Sequence, residues 1–341
     1  MKRVVGFGDF LLRLSPPGYL RFRQASAFDA YYTGAEANVC ASLAVMGVET
    51  EFVTRVPENP IAEAGLGELR RLGVGVGHVA RGGDRLGLYY CEKGASQRPS
   101  LVVYDRMHSG VTTACRRNFD WARILKGAGF FHFTGITPAL GGELPAICED
   151  ACRAAKKAGA RISCDLNYRK NLWDTKTASR VMTRLLKYVD CLIANEEDAE
   201  KVLGIKAEGS DVTGGRLSRE GYVGVARKLM AKFPNLKTVA ITLRRSISAS
   251  DNIWGAMLFD GHKAYFSRDY DVHIVDRVGA GDSFAAGLLY ALGNRFGVQR
   301  AVDYAAAASC LKHTIERDVN LSTVAEIERL AQGDGSGRVQ R

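Results

Sequence analysis

The sequence predicts an α/β fold: a three-layer sandwich whose mostly parallel central sheet is flanked by helices, plus a small β-sheet lid. Two observations carry the prediction. Short apolar runs alternate with longer segments of helical periodicity along most of the 341 residues, as expected for parallel strands joined by crossover helices. Two stretches, 10–33 and 84–105, break that alternation; they are rich in Tyr, Phe, Leu and Val and lack a helical period.

Residues 3–8 read as the first strand. Helix 35–46 follows, with Val39, Leu43 and Met46 on one face and Gly47 as its stop. Strand 51–56 leads to helix 61–72, which carries Leu66, Leu69 and Leu72 and ends at Gly73. Next come strand 130–134, helix 144–158 closed by Gly159, strand 161–165, helix 177–188, strand 191–194, helix 196–203, helix 220–232 and strand 238–243. Strands near 253–267 and helices near 280–294, 299–313 and 322–331 complete the series. Within the two irregular stretches, 86–92 and 101–104 read as short strands. Such a layer has free edges and one apolar face, so it would cover a site, join two copies of the chain, or both.

The length suits one large domain over 1–331, with the lid formed from about 10–33 and 84–105 and a polar, Gly-rich tail at 332–341 expected to be disordered. The composition, 46% hydrophobic and 25% charged, is that of a globular protein. No apolar run approaches the ~18–20 residues of a membrane span, and the N-terminus reads as a strand and not as a signal peptide. Eight cysteines lie mostly in apolar segments, and Cys148 and Cys152 are four apart, which is not zinc-ribbon spacing. Reduced, buried thiols in a cytoplasmic chain are expected. The net charge of +10 is dispersed, without the basic run interleaved with aromatics that a nucleic-acid partner requires; it favours small anionic ligands. The six histidines show no metal spacing, and His313 reads as a dipole partner at a helix C-terminus.

The segment Asp276-Arg277-Val278-Gly279-Ala280-Gly281-Asp282 runs directly into a helical pattern, with Phe284, Leu288 and Ala291 on one stripe. A glycine turn at a helix N-terminus can aim several N–H groups at a phosphate, and the helix dipole adds to the attraction. A carboxylate beside it could take the proton of an attacking hydroxyl; a Gly-rich helix cap is the plainer reading. In an open α/β sheet, ligands bind at the C-terminal ends of the strands. Asp9, Asp165–Arg169, Asn195–Asp198 and Thr242–Arg244 all fall at such ends, so several carboxylates, an arginine and the glycine turn would share one crevice. Asp9 itself is read only as a partner of the sheet end.

These residues give the chain a resemblance to the ribokinase-like, or PfkB, carbohydrate kinases. The signature D-x-x-G-A-G-D-x-F stands at Asp276, Gly279, Ala280, Gly281, Asp282 and Phe284, and an N-terminal signature at Gly34-Ala35-Glu36-Ala37-Asn38-Val39 with Leu43-Ala44 and Gly47. Within the family, residues 82–90, 98–100, 104–106 and 165–173 resemble the kinases of 2-keto-3-deoxygluconate. The resemblance implies ATP and Mg²⁺, leaves room for a monovalent cation such as K⁺, and implies a homo-oligomer built through the lid. It makes Asp282 the general base, Gly279, Ala280 and Gly281 the anion hole, and Arg169 the arginine that reaches substrate and phosphate. Gly34 and Asn38 match substrate contacts; Tyr89, Tyr104 and Arg106 would reach an acid sugar from the lid, although both tyrosines could equally pack the β-layer. Asp318 stands where a late substrate-side aspartate is found. Asn167, Asn195, Thr242, Arg244, Gly279, Gly281 and Ala308 fall in nucleotide-binding segments. Asn195 and Asp198 match the element beside magnesium; since the fourth position of N-x-x-E is Asp here, Glu197 and Asp198 both remain candidates. Residues 56–62 depart from the family pattern and receive no role. The implied reaction is transfer of the ATP γ-phosphoryl group to the terminal hydroxyl of 2-keto-3-deoxygluconate, with a neutral sugar such as fructose as the alternative substrate. A catalytically idle basic binding protein is a third reading.

Overall fold

A computed structural model of the chain describes residues 1–195, 197–206, 219–335 and 337. Of the tail expected to be disordered at 332–341, residues 336 and 338–341 fall outside the described residues, as does the first residue of the expected helix 196–203; Gln332, Gly333 and Asp334 donate back to the end of the last helix.

The central sheet has ten strands. Its order is Ala264–Phe266, Asp251–Phe259, Thr238–Ser246, Cys191–Ala194, Arg161–Asp165, Phe130–Thr134, Val4–Phe7, Thr50–Val53 and Val74–Gly75, with Tyr270–His273 also paired to Asp251–Phe259. Every neighbour from Thr238–Ser246 to Val74–Gly75 is parallel, and the strands beyond are antiparallel. One apolar cluster packs the helices Leu144–Lys157, Thr175–Leu186 and Arg219–Lys232 on one face. A second joins Ala35–Val45, Ala280–Gly293 and Val298–His313 on the other. The three expected layers are therefore present, and the predicted stripes Val39/Leu43/Met46 and Phe284/Leu288/Ala291 are buried.

The differences are local. The strand expected at 51–56 divides: Thr50–Val53 stays in the main sheet, while Arg55–Val56 pairs with Ala80–Arg81. The turn in which Asp260 accepts the N–H groups of His262 and Lys263 breaks 253–267 into a hairpin. Helix Thr175–Leu186 begins earlier than its apolar period because Asp174 caps Thr177 N–H at 2.7 Å. Helix Pro60–Arg71 begins at a proline behind an Asn59 cap. Among the described residues, the helix expected from 196 runs from Asp198 to Leu203.

The two irregular stretches form one four-stranded sheet in the order Asp29–Thr33, Leu11–Ser15, Gly87–Glu92 and Leu101–Asp105. Side chains alternate along a strand, so Leu11, Arg13 and Ser15 turn to the buried side. Arg13, paired across the strands with Tyr89, is fully buried and forms ion pairs with Asp276, at 2.9 Å, and with Asp318. Asp318 also accepts from Thr33 Oγ1 at 2.6 Å and from the Tyr89 hydroxyl. Burial alone would lower the Arg13 pKa, but Asp318, Tyr89 and Asp276 hold it far above the usual value. The lid is thus fastened to the loops around 276 and 318 by a buried charge network. Breaking a buried pair by removing one partner typically costs ~3–5 kcal/mol. Arg13→Ala is expected to lose stability of that order, read as a lower urea midpoint; a loss below ~1 kcal/mol would show that the network contributes nothing.

Candidate active site

The main sheet reverses its winding between Val4–Phe7 and Phe130–Thr134, the switch point at which open α/β sheets leave a crevice beyond the strand ends. A cavity of about 530 Å³ opens there, roofed by the lid. Its lining includes Gly34, Asn38, Tyr89, Tyr104, Arg106, Asn167, Arg169, Asn195, Asp198, Thr242, Arg244, Gly279, Ala280, Gly281, Asp282 and Asp318. A second hollow of about 900 Å³ shares Val102, Tyr104, Arg106, Arg169 and Asn171 with it and continues outward between the lid edge and residues 168–172.

Ala308 is not brought to this cavity, against expectation. It is fully buried on the helix Val298–His313, and its carbonyl accepts from Ser283 Oγ and Asn320 Nδ2. That face of the helix is used to pack against Ala280–Gly293, and His313, one turn and a residue later, lines the cavity instead. His313 is also not the charged dipole partner expected: burial pushes its pKa down to about 4, and its ring lies against Trp254 and 2.8 Å from the Ser309 carbonyl.

The glycine turn is built as its sequence requires. Gly279 has φ +84°, and a Cβ there would stand 1.8 Å from the Asp318 carbonyl oxygen. Only glycine satisfies both the left-handed backbone and that contact. A Cβ on Gly281 would meet nothing, which leaves the mouth of the helix N-terminus clear for an anion. Gly34 is fixed by contact as well, since its Cβ would sit 2.1 Å from the Asp9 carbonyl. It opens the helix that carries Asn38, whose Nδ2 donates to Asp282 Oδ2 at 2.7 Å. Burial pushes the Asp282 pKa up to about 7, against the lowering pull of Asn38, Arg169 and Lys312. It is therefore poised as a proton acceptor near neutral pH.

Asp165 and Asp198 lie on the adjoining strand ends. Burial raises both, and Asp165 is raised further by the charges of Asp198 and Asp282. Asp198 accepts from Tyr168 N–H at 3.1 Å and lines the cavity, whereas Glu197 borders only the outer hollow. The side-chain oxygen of Asn195 is engaged by the N–H groups of Glu197 and Asp198 at 2.9 and 3.0 Å, so it serves as a helix cap. Among the described residues, no three His, Cys, Asp or Glu side chains converge as a ready metal cage. A crowded, mutually repelling carboxylate group nonetheless fits Mg²⁺, which binds through one or two carboxylates and keeps several waters.

On the lid side, Tyr89 and Asp318 bond each other, and Asp318 is further occupied by Arg13 and Thr33. Their polar atoms fasten the lid while both residues line the cavity. Among the described cavity residues, Asp9 Oδ1 and Arg106 Nε are buried without a hydrogen-bond partner, as are Glu36 Oε2 and Trp254 Nε1. Arg106 stacks over the Tyr104 ring at 3.9 Å and approaches Asp9 Oδ2 at 3.4 Å. Asp9 is thus a cavity residue that reading the strand end alone undervalued. Arg13 was missed as well, although its signal was present: a cation on the inward face of an apolar strand.

A buried carboxyl with its pKa raised to about 7 beside an open helix N-terminus, at the switch point of a lidded parallel sheet, suits phosphoryl transfer. Residues 1–316 match the pfkB family of carbohydrate kinases; the chain belongs to that family and is a sugar kinase. It is 53% identical to the crystal structure of 2-dehydro-3-deoxygluconokinase from Thermotoga maritima, with a TM-score of 0.93 over 97% of this chain and 98% of that one. It is 31% identical to a 2-dehydro-3-deoxygalactonokinase of Haloferax volcanii over 98% of both chains. It is also 29% identical to the 2-dehydro-3-deoxygluconokinase of Bacillus subtilis, over 84% of this chain and 82% of that protein.

Because Asp282 accepts a proton only when ionised, and its pKa is raised to about 7, kcat/KM is expected to rise with pH through about 7 and to fall away below it. Asp282→Ala should lose ~10³-fold or more in turnover while still binding nucleotide. A variant with near-normal turnover would remove Asp282 from the role of base.

Proposed function

We propose that this enzyme transfers the γ-phosphoryl group of ATP to the terminal hydroxyl of 2-keto-3-deoxygluconate, giving 2-keto-3-deoxy-6-phosphogluconate. The pair of unsatisfied buried atoms, Asp9 Oδ1 and Arg106 Nε, carries the acid-sugar reading. An acceptor and a donor side by side match a sugar hydroxyl and a carboxylate, and a guanidinium grips a carboxylate well. A neutral sugar would leave Arg106 with Asp9, at 3.4 Å, as its anionic partner and give its Nε no carboxylate to bind. The name borne by the relative at 53% identity supports the gluconate epimer, while the Haloferax relative makes the galactonate epimer the substrate to compare first.

In this reading Asp282 takes the proton as the sugar oxygen bonds to the γ-phosphorus and the bond to the β-phosphate oxygen breaks. The N–H groups at Gly279, Ala280 and Gly281 stabilise the charge on the moving group. Arg169 offsets repulsion between the sugar acid and the polyphosphate. Asn167, Thr242 and Arg244 hold the nucleotide. Asp198, with Asp165 beside it, would hold Mg²⁺, which when bound would neutralise phosphate charge. Residues Leu101 and Val103, exposed on the free lid edge, support a homo-oligomer joined through the lid; a monomer in sedimentation analysis would remove that part. Eight free cysteines and the lack of any membrane-crossing helix among the described residues support a cytoplasmic location.

A coupled assay for ADP over 2-keto-3-deoxygluconate, its galactonate epimer, gluconate, fructose and ribose tests the substrate. Preference for fructose or ribose would overturn the acid-sugar reading. Arg106→Ala is expected to raise KM for the acid sugar by ~10–100-fold with a smaller fall in kcat; unchanged kinetics would take the carboxylate contact away from Arg106.

A further inference from the structure

The helix Val298–His313 carries Lys312 near its end, and this side chain is fully buried. An ammonium withdrawn from water costs several kcal/mol unless it is paired and hydrogen-bonded, so its surroundings are informative. Nζ donates to the backbone carbonyls of Asp276, at 3.2 Å, and Ile315, at 3.0 Å. Asp276, Asp318 and Asp282 are its anionic neighbours and Arg13 its cationic one. The first carbonyl belongs to the residue that opens the turn Asp276–Asp282. The second belongs to the loop that brings Asp318 against Gly279. The same stretch is held a second time, because the N–H groups of Val275 and Asp276 donate to the His313 carbonyl. Carbonyls from separate loops, converging on one point beside carboxylates, make the oxygen set that a hard cation takes. K⁺ therefore does not fit where the family resemblance leaves room for it: the oxygens are already bonded to a covalently tethered charge.

We propose that Lys312 is the built-in cation of the phosphoryl-transfer turn, pinning the Asp276 and Ile315 carbonyls and supplying fixed positive charge near Asp282, so that the enzyme needs no bound monovalent cation. Lys312 is a positioning residue: it shapes the turn and touches neither sugar nor nucleotide. The proposal rests on the kinase assignment of the turn but not on which sugar is used, and its melting readout requires no substrate.

The test begins with the wild-type enzyme, assayed and melted in the chlorides of Na⁺, K⁺, NH₄⁺ and tetramethylammonium at equal ionic strength. Rates are expected to differ by less than about threefold, with no cation-specific rise in melting temperature, since bulk screening is then the same in every salt. Lys312→Ala opens a space that a small cation can enter. It is expected to lose ~10²-fold in kcat, with KM for the sugar little changed. K⁺ or NH₄⁺, but not tetramethylammonium, should then restore ~10-fold and raise the melting temperature by binding the folded state. Lys312→Met fills the space without the charge and is expected to show the same loss and no rescue. Activation of the wild type by K⁺ of about threefold or more would overturn the proposal whether or not either variant folds. So would a folded Lys312→Ala protein with near-normal kcat, or one that shows neither rescue nor a melting shift.

Discussion

The buried pairing of Arg13 with Asp276 and Asp318 is the constraint on which the rest of this architecture depends. The lid is a separate sheet whose outer strand, Leu101–Asp105, is exposed along its length and whose buried apolar cluster is the small one of Leu11, Tyr89 and Cys91. What sets its position over the crevice is one guanidinium on an inward-facing strand position, caught between two carboxylates from loops of the main fold. Those carboxylates are not placed at random. Asp276 opens the glycine turn, and the carbonyl of Asp318 is the atom against which Gly279 packs. A cation in the lid therefore fixes the two loops that shape the anion site. Buried ion pairs are weak sources of net stability; here the pairing, with the bonds of Thr33 and Tyr89 to Asp318, fixes the lid's position on the main fold.

Desolvation is the second organising effect. Asp9, Asp165, Asp198, Asp276 and Asp282 all have their pKa values raised, with burial as the largest cause. The crevice concentrates carboxylates that water no longer solvates, and different partners then separate their tasks. Arg13 neutralises Asp276, and backbone N–H groups hold Asp198. Asp282, which accepts from the Asn38 amide and feels Arg169 and Lys312 without a direct ion pair among the described residues, has its pKa raised by burial to about 7. Similar side chains can take the separate tasks proposed for them, anchor, metal neighbour and base, because their surroundings differ.

Much of this was legible in the sequence. The glycine turn, the Gly34–Asn38 segment and the polar residues at the strand ends were readable because backbone geometry restricts residue choice there: a left-handed φ at Gly279 and carbonyl contacts at both glycines admit no side chain. The alternation of strand and helix gave the layers, and the two aperiodic stretches gave the lid. Less legible was what each polar atom is bonded to. Asp318 and Tyr89 lie at the cavity, as expected, but Asp318 is bonded to Tyr89 and to Arg13 across more than two hundred residues of chain, a pairing no local pattern encodes. Ala308 was misplaced by one helix face, since an alanine-rich helix gives little periodic contrast to say which side packs. Asp9 was undervalued because its worth lies in the missing partner of one oxygen.

The close packing at Gly34 and Gly279 has a consequence for how such an enzyme diversifies. In both places main chain meets main chain, at Asp9 and at Asp318, so the location of the base and the anion turn is set without the help of variable side chains. Tyr104 and Arg106, the lid residues proposed here to meet the sugar, sit instead on and just after a free edge strand whose backbone is paired on one side only. Catalysis and selectivity are thereby partitioned between a part of the molecule that tolerates almost no substitution and a part that can be rewritten residue by residue. A lineage built on this plan can exchange one sugar for another by altering its rim, while inheriting the chemistry unchanged.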